Sequence, residues 1–232
     1  MTLPDSFDRW AFLERLPAPI ANAIVRRRYR GPVWQGIPEG AARTLVHIPK
    51  TGGTTFAKVV YGREVNHYPA FVFAIADPER WRRQPPIAFL RDPAERMLSA
   101  IAHHFGSPRM SEADRRRARR LHRFGDDPET IATGILAGGS LPGWLRGTLL
   151  FRPQHRWIES RGARLVEDLR PISALDATLR ELGFTPAVHN RTEGRHDRPI
   201  DPSLRRRIEA AYPKDAELWN RVGTSEGSSA SR

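Results

Sequence analysis

Residues 44–55 read Thr44-Leu45-Val46-His47-Ile48-Pro49-Lys50-Thr51-Gly52-Gly53-Thr54-Thr55, and their order predicts the fold. Thr44 to Ile48 form a largely β-branched and apolar run suited to a buried strand. Pro49 to Thr55 make a glycine-containing turn, and a helix is expected over residues 54–61. A strand that enters a helix through such a turn brings backbone N–H groups together at the positive end of the helix dipole, where anions bind. Gly52 and Gly53 let the backbone approach a ligand closely, the threonines add hydroxyl donors, and Lys50 adds a full charge. This is not a Walker A loop, in which the lysine follows the glycines and another glycine stands upstream.

The same pattern recurs along the chain. A second strand is expected near residues 64–67 and a third at Ile87-Ala88-Phe89-Leu90, closed by Arg91-Asp92-Pro93. Pro93 suits the first helical position and Asp92 the N-cap, so a helix should run toward Phe105. Beyond it the sequence predicts a very basic helix over 111–124, another over 128–136, a glycine-rich loop at 138–147 and a short strand at Leu165-Val166. Helices over 172–182, 202–212 and 214–222 follow. Repeated strand-loop-helix units with helices in excess place the chain in the α/β class, with a parallel sheet flanked by helices on both faces. Upstream, residues 7–30 read as two short helices ending in Arg26-Arg27-Arg28-Tyr29-Arg30, and residues 31–40 as a Gly/Pro-rich linker. The expected organisation is an N-terminal helical extension (1–40), a single domain (41–223) and a tail (224–232) that is disordered because it has nothing to bury.

Composition narrows the function. At 232 residues the chain is long enough for a core without disulfides or metals. The longest strictly apolar run, residues 70–76, falls far short of the roughly 20 residues that cross a bilayer. Residues 1–10 carry Asp5 and Asp8 and no basic region ahead of a hydrophobic stretch, so a cytoplasmic location is expected. The absence of cysteine excludes a disulfide framework, a thiolate zinc site and a cysteine nucleophile. With 38 basic and 26 acidic residues the net charge is +12, which implies an anionic partner. Only Lys50, Lys58 and Lys214 are lysines, and Lys50 falls in the anion-binding turn. The cluster Arg115-Arg116-Arg117, Arg119-Arg120 and Arg123 suits a polyanionic glycan, peripheral contact with an acidic membrane, or nucleic acid. Its default reading is a solvated helix face. A basic nucleic-acid-binding module is a competing reading, although no helix-turn-helix, RRM or zinc-finger pattern is present.

Pro49-Lys50-Thr51-Gly52-Gly53-Thr54-Thr55 after an apolar strand resembles the 5′-phosphosulfate loop of sulfotransferases. Phe89-Leu90-Arg91-Asp92-Pro93-Ala94-Glu95-Arg96-Met97-Leu98-Ser99 resembles that family's 3′-phosphate motif, an arginine at a strand end and a serine further along the helix. The nearest group is the heparan sulfate 2-O- and 6-O-sulfotransferases and their bacterial relatives. Coverage runs from about Thr44 to Trp219, with weaker matches around 151–158, 164–169 and 189–192; residues 1–40 lie outside it. The resemblance implies a P-loop-NTPase-like sheet and 3′-phosphoadenosine 5′-phosphosulfate (PAPS) as sulfuryl donor. It also implies an acceptor hydroxyl on a carbohydrate, release of PAP and no metal. Carried over by position, Lys50 meets the 5′-phosphosulfate and the bridging oxygen. Thr51, Gly52, Gly53, Thr54 and Thr55 hold the 5′-phosphate, Arg91 and Ser99 the 3′-phosphate, and Arg191 and Thr192 close over PAP. His67 stands where this group has its catalytic base. His103, one turn beyond Ser99, is the second candidate, whereas His47 reads as a packing residue. A nucleotide kinase with an altered phosphate loop is the other enzymatic reading and requires Mg²⁺ and ATP.

Overall fold

A computed structural model describes residues 8–106, 111–186 and 199–229. In chain order the elements are α1 (Arg9–Arg15), α2 (Ala18–Tyr29), β1 (Thr44–Leu45), α3 (Gly53–Tyr61), α4 (Ala70–Ala76), α5 (Pro78–Arg83), β2 (Pro86–Leu90), α6 (Pro93–Gly106) and α7 (Glu112–Leu121). Then come α8 (Pro128–Ile135), α9 (Gly143–Arg146), α10 (His155–Ile158), β3 (Glu159–Ser160), β4 (Ala163–Arg164), β5 (Asp168–Pro171), α11 (Leu175–Glu181), α12 (Pro202–Ala211) and α13 (Pro213–Ser229). The chain divides into two compact units: Arg9–Leu90 with Gln154–Thr192 and Arg221–Arg232, and Met1–Asp8 with Arg91–Pro153 and Glu193–Asn220. The division runs through the stretch read as one domain.

The first unit holds a three-stranded parallel sheet in the order β1-β2-β5, flanked by helices. Thr44 aligns with Pro86, and Ile87 with Asp168, so β2 is the central strand. Four of its five residues are buried, as expected of a strand covered on both faces. The first unit's core joins Leu45, Phe56, Phe71, Phe73, Ile87 and Phe89 to Trp10, Leu13, Val25 and Val33. The N-terminal helices thus belong to the core. Gln84 fastens the linker that follows them, donating through Nε2 to the carbonyls of Pro38, Glu39 and Ala41 at 2.8, 2.6 and 3.0 Å.

The second unit is helical. Around α6, helices α7, α8 and α12 bury Met97, Leu98, Ile101, Leu121, Ile131 and Ile208. Side-chain caps set the helix starts: Ser111 and Asp114 form a capping box, Asp127 accepts from the N–H groups of Glu129 and Thr130, and Asp201 from those of Ser203 and Leu204. Buried Arg96 donates to the carbonyls of Leu150 (3.1 Å) and Arg152 (2.8 Å), which ties α6 to the segment after α9.

Three expectations need correction. Residues 64–67 pair with no strand; they run as an extended link, and of the four only Val65 has a side chain that favours a strand. The last sheet strand is Asp168–Pro171 and not Leu165-Val166, which follow the small β3-β4 hairpin. Helix α13 runs on to Ser229, past the Val222 at which the sequence pattern ends it and into the tail (224–232) read as disordered. Residues 70–76, to which the pattern assigned no element, form helix α4.

Candidate active site

The turn after β1 keeps its strand direction briefly, since Val46 N–H still donates to the Ile87 carbonyl at 2.9 Å. Thr51 then fastens the bend by donating from Oγ1 to the Ile48 carbonyl at 2.9 Å. Two residues take the left-handed conformation, Gly52 with φ +85° and Lys50 with φ +69°. That region suits glycine and costs a side-chain-bearing residue energy, so a lysine held there marks a loop whose shape is set by more than local preference. Helix α3 begins at Gly53 with Gly52 as its N-cap and no side-chain cap. Its positive end therefore faces the turn that carries Lys50.

Gly53 is fixed by packing. A Cβ there would lie 2.2 Å from Cδ2 and 2.7 Å from Nε2 of His47, so no side chain fits while His47 keeps its place. His47 is 5% exposed, and its Nδ1 lies 3.4 Å from the Val65 carbonyl. Burial, and secondly the neighbouring His67, hold its pKa well below the usual histidine value, against the opposing hydrogen bond to Val65. His47 is a neutral ring wedged under the loop.

The His67 ring lies over His47 with centroids 4.0 Å apart. Its Nδ1 is 2.8 Å from the backbone carbonyl of His47, to which it donates in the neutral form. That tautomer leaves the lone pair on Nε2, the arrangement a general base requires. The Trp157 and His67 rings meet edge to face with centroids 6.2 Å apart, and both Trp157 and Gln154 are buried. The structure thus brings Lys50, Thr51, Gly52, Gly53, Thr54, Thr55, His47 and His67 into one unit, with His67 half-buried beside the strand that feeds the loop.

Arg91 and Ser99 belong to the helical unit. Arg91 pairs through Nε with Glu95 Oε2 at 3.1 Å, and Asp92, the expected N-cap of α6, accepts from Glu95 N–H at 2.9 Å while also meeting Arg205. Ser99 is 1% exposed, so it is no ordinary helix-surface serine. His103, on the same helix, is half-buried, and the adjacent His104 is buried with Nδ1 2.9 Å from the Ala100 carbonyl. Arg191 and Thr192 lie outside the described residues.

Sequence reasoning missed the support under the loop. Tyr61, the last residue of α3, donates from its hydroxyl to the Arg43 carbonyl and accepts from Leu45 N–H, both at 2.9 Å, and so locks the end of α3 to the start of β1. Burial pushes this phenol above its usual pKa. Nothing in the pattern marks it except an aromatic residue with a polar end at the close of an amphipathic helix.

Comparison with known proteins gives no match: no family model, curated protein or solved structure matches the chain.

Proposed function

We propose that the protein is a sulfotransferase that moves the sulfuryl group of PAPS to a hydroxyl of a carbohydrate acceptor and releases PAP. The observation that carries this reading is the pairing of two features in one unit. One is the Lys50-to-Thr55 turn at the uncapped start of α3; the other is a histidine beside it with Nδ1 tied to the His47 carbonyl. The turn suits a phosphate, and the tied imidazole suits removal of a proton from an alcohol. In the reaction Nε2 of His67 takes the acceptor proton as the oxygen attacks sulfur. The bond from sulfur to the 5′-phosphate oxygen breaks, and Lys50 offsets the charge that develops on that oxygen. Such transfer asks the protein mainly for positioning and electrostatic stabilisation. By the resemblance, Arg91 and Ser99 hold the 3′-phosphate that sets PAPS apart from ATP-like donors.

Four arginines of the cluster on α7 share two carboxylates. Arg115, Arg116 and Arg119 reach Glu112, and Arg117 pairs with Asp114. The reading is tested by thermal unfolding with PAP, ADP and ATP, followed by incubation with labelled PAPS and a panel of acceptors. PAP is expected to raise the melting temperature more than ADP does, and label is expected on a carbohydrate hydroxyl. Equal stabilisation by ADP, or Mg²⁺-dependent turnover of ATP, would overturn it.

A further inference from the structure

Helices α1 and α2 form an antiparallel hairpin. The Trp10 and Tyr29 ring centroids lie 5.4 Å apart at its open end, and Leu16-Pro17-Ala18-Pro19 makes its tip. Trp10, Leu13, Ala21 and Val25 turn inward. The outer side of the tip is apolar. Phe12, one turn before Leu16, is 48% exposed, and Ile20, in the first turn of α2, is 51% exposed. In this unit they are the large hydrophobic side chains left exposed among the described residues, and exposed Pro17, Ala18, Pro19 and Ala23 extend the patch. Apolar side chains gathered at one corner, unlike single scattered ones, mark a surface that meets a partner.

The charge around the tip has one sign. Residues 9–37 hold Arg9, Arg15, Arg26, Arg27, Arg28 and Arg30 against the single carboxylate of Glu14. Arg15, Arg27, Arg28 and Arg30 are exposed and have no ion pair or hydrogen bond among the described residues. On α7, by contrast, Arg115, Arg116, Arg117 and Arg119 share Glu112 and Asp114. Ile20, Ala23, Arg27 and Arg30 follow helical spacing and are all exposed, so one outer stripe of α2 passes from apolar to basic. Ile20 and Arg27 stand about 10 Å apart along the axis at 1.5 Å per residue. The tip is also fixed in place: Arg161, in the left-handed conformation (φ +51°) at the turn between β3 and β4, donates from Nη2 to the Leu16 carbonyl at 2.7 Å. A corner already held needs little further ordering when it binds.

The two ends of the stripe together select the partner. A nucleic acid would reward the arginines and leave Phe12 and Ile20 in water. A second copy of the chain would cover the apolar tip but set two arginine clusters against each other. A layer of anionic lipid headgroups over acyl chains takes both, because guanidinium groups pair with phosphates while apolar side chains sink about 5–10 Å into the boundary beneath them. That depth matches the step from Arg27 to Ile20. At 12 residues, α2 is too short to cross a bilayer, which takes roughly 20. We propose that the α1-α2 hairpin docks the protein on an acidic membrane surface, with Phe12 and Ile20 entering the interface and Arg15, Arg27 and Arg30 at the level of the headgroups. The docking face is independent of the sulfotransferase reading.

The test is co-sedimentation of the full-length protein with vesicles of phosphatidylcholine alone and of phosphatidylserine mixed with phosphatidylcholine, alongside binding of a DNA duplex of random sequence. The variants are Ile20→Ser and Arg27→Ser, with Leu149→Ser and Arg115→Ser as exposed controls in the helical unit. Ile20 and Arg27 are exposed, so their variants are expected to melt with the wild type. The mixed vesicles are expected to bind the wild type about tenfold or more tightly than phosphatidylcholine alone. Ile20→Ser and Arg27→Ser should each weaken that binding by about fivefold, and the controls should leave it unchanged. Ile20→Trp reads the depth directly: it is expected to keep vesicle binding and to show quenching by brominated lipid beyond that of the wild type. Equal binding to both kinds of vesicle, a loss in either control as large as in the hairpin variants, or no added quenching in Ile20→Trp each overturns the proposal. Absence of vesicle binding overturns it in favour of an acidic protein partner. Duplex binding that falls in Arg27→Ser and not in Ile20→Ser, with vesicle binding unchanged in both, overturns it in favour of nucleic acid.

Discussion

At Gly53 the space for a side chain is already filled by His47, and that contact makes the glycine testable. Gly53→Ala forces the buried imidazole aside and is expected to cost about 1–3 kcal/mol, read as a lower melting temperature together with weaker PAP binding. Lys50→Ala should act differently. The turn and the start of α3 remain to hold phosphate, so PAP affinity changes little while turnover falls by about a hundredfold or more; activity within a few fold of wild type would make Lys50 structural. His67→Ala should lower kcat by about 10²-fold with donor affinity preserved, and His103→Ala should do less. The reverse ranking would move the base to α6. His47 adds a pH signature. Its folded-state pKa is depressed by burial, so the unfolded chain binds its proton more readily. The stability it contributes is present above the unfolded value of about 6.5 and is lost as pH falls below it. Unfolding measured from pH 7.5 to 5 should show an acid limb that flattens in His47→Phe.

Among the elements, Gln84 ties the end of α5 to the linker after α2, because one amide nitrogen serves three linker carbonyls. Gln84→Leu leaves those carbonyls unsatisfied and is expected to cost about 1–3 kcal/mol, or a fall of a few degrees in melting temperature for a chain of this size. Such a bond was invisible in the sequence, where Gln84 stands before two prolines like any turn residue. Elements with local signals were legible: the apolar run into Gly52-Gly53, and Pro93 after Asp92. Residues 64–67 were misread because only Val65 among them carries strand propensity, too little to hold a strand without cross-strand partners. The run at 70–76 carried no period that separates a buried strand from a buried helix. Lys50 and the glycines were singled out by residue type and order, and His67 by the resemblance. The partner of His67 was not, because it is a main-chain carbonyl that any residue at position 47 would supply.

For the whole molecule, the N-terminal helices decide how the chain can be shortened. Trp10, Leu13, Val25 and Val33 share a core with β1 and β2, so a fragment starting at residue 41 is expected to be poorly folded, with a broad or absent unfolding transition in circular dichroism; a sharp transition like that of the full chain would show the helices to be dispensable. The order of the pieces has a further effect on how the protein is made. Ile87 of the central strand pairs with Asp168, and the helical unit's residues 91–153 are synthesised between them. At roughly 5–20 residues per second, a ribosome takes several seconds to supply the missing neighbour. During that interval one edge of an almost wholly apolar strand stays unmatched, a hazard for association between nascent chains. Meanwhile the helical segment, with contacts close in sequence, has time to form first.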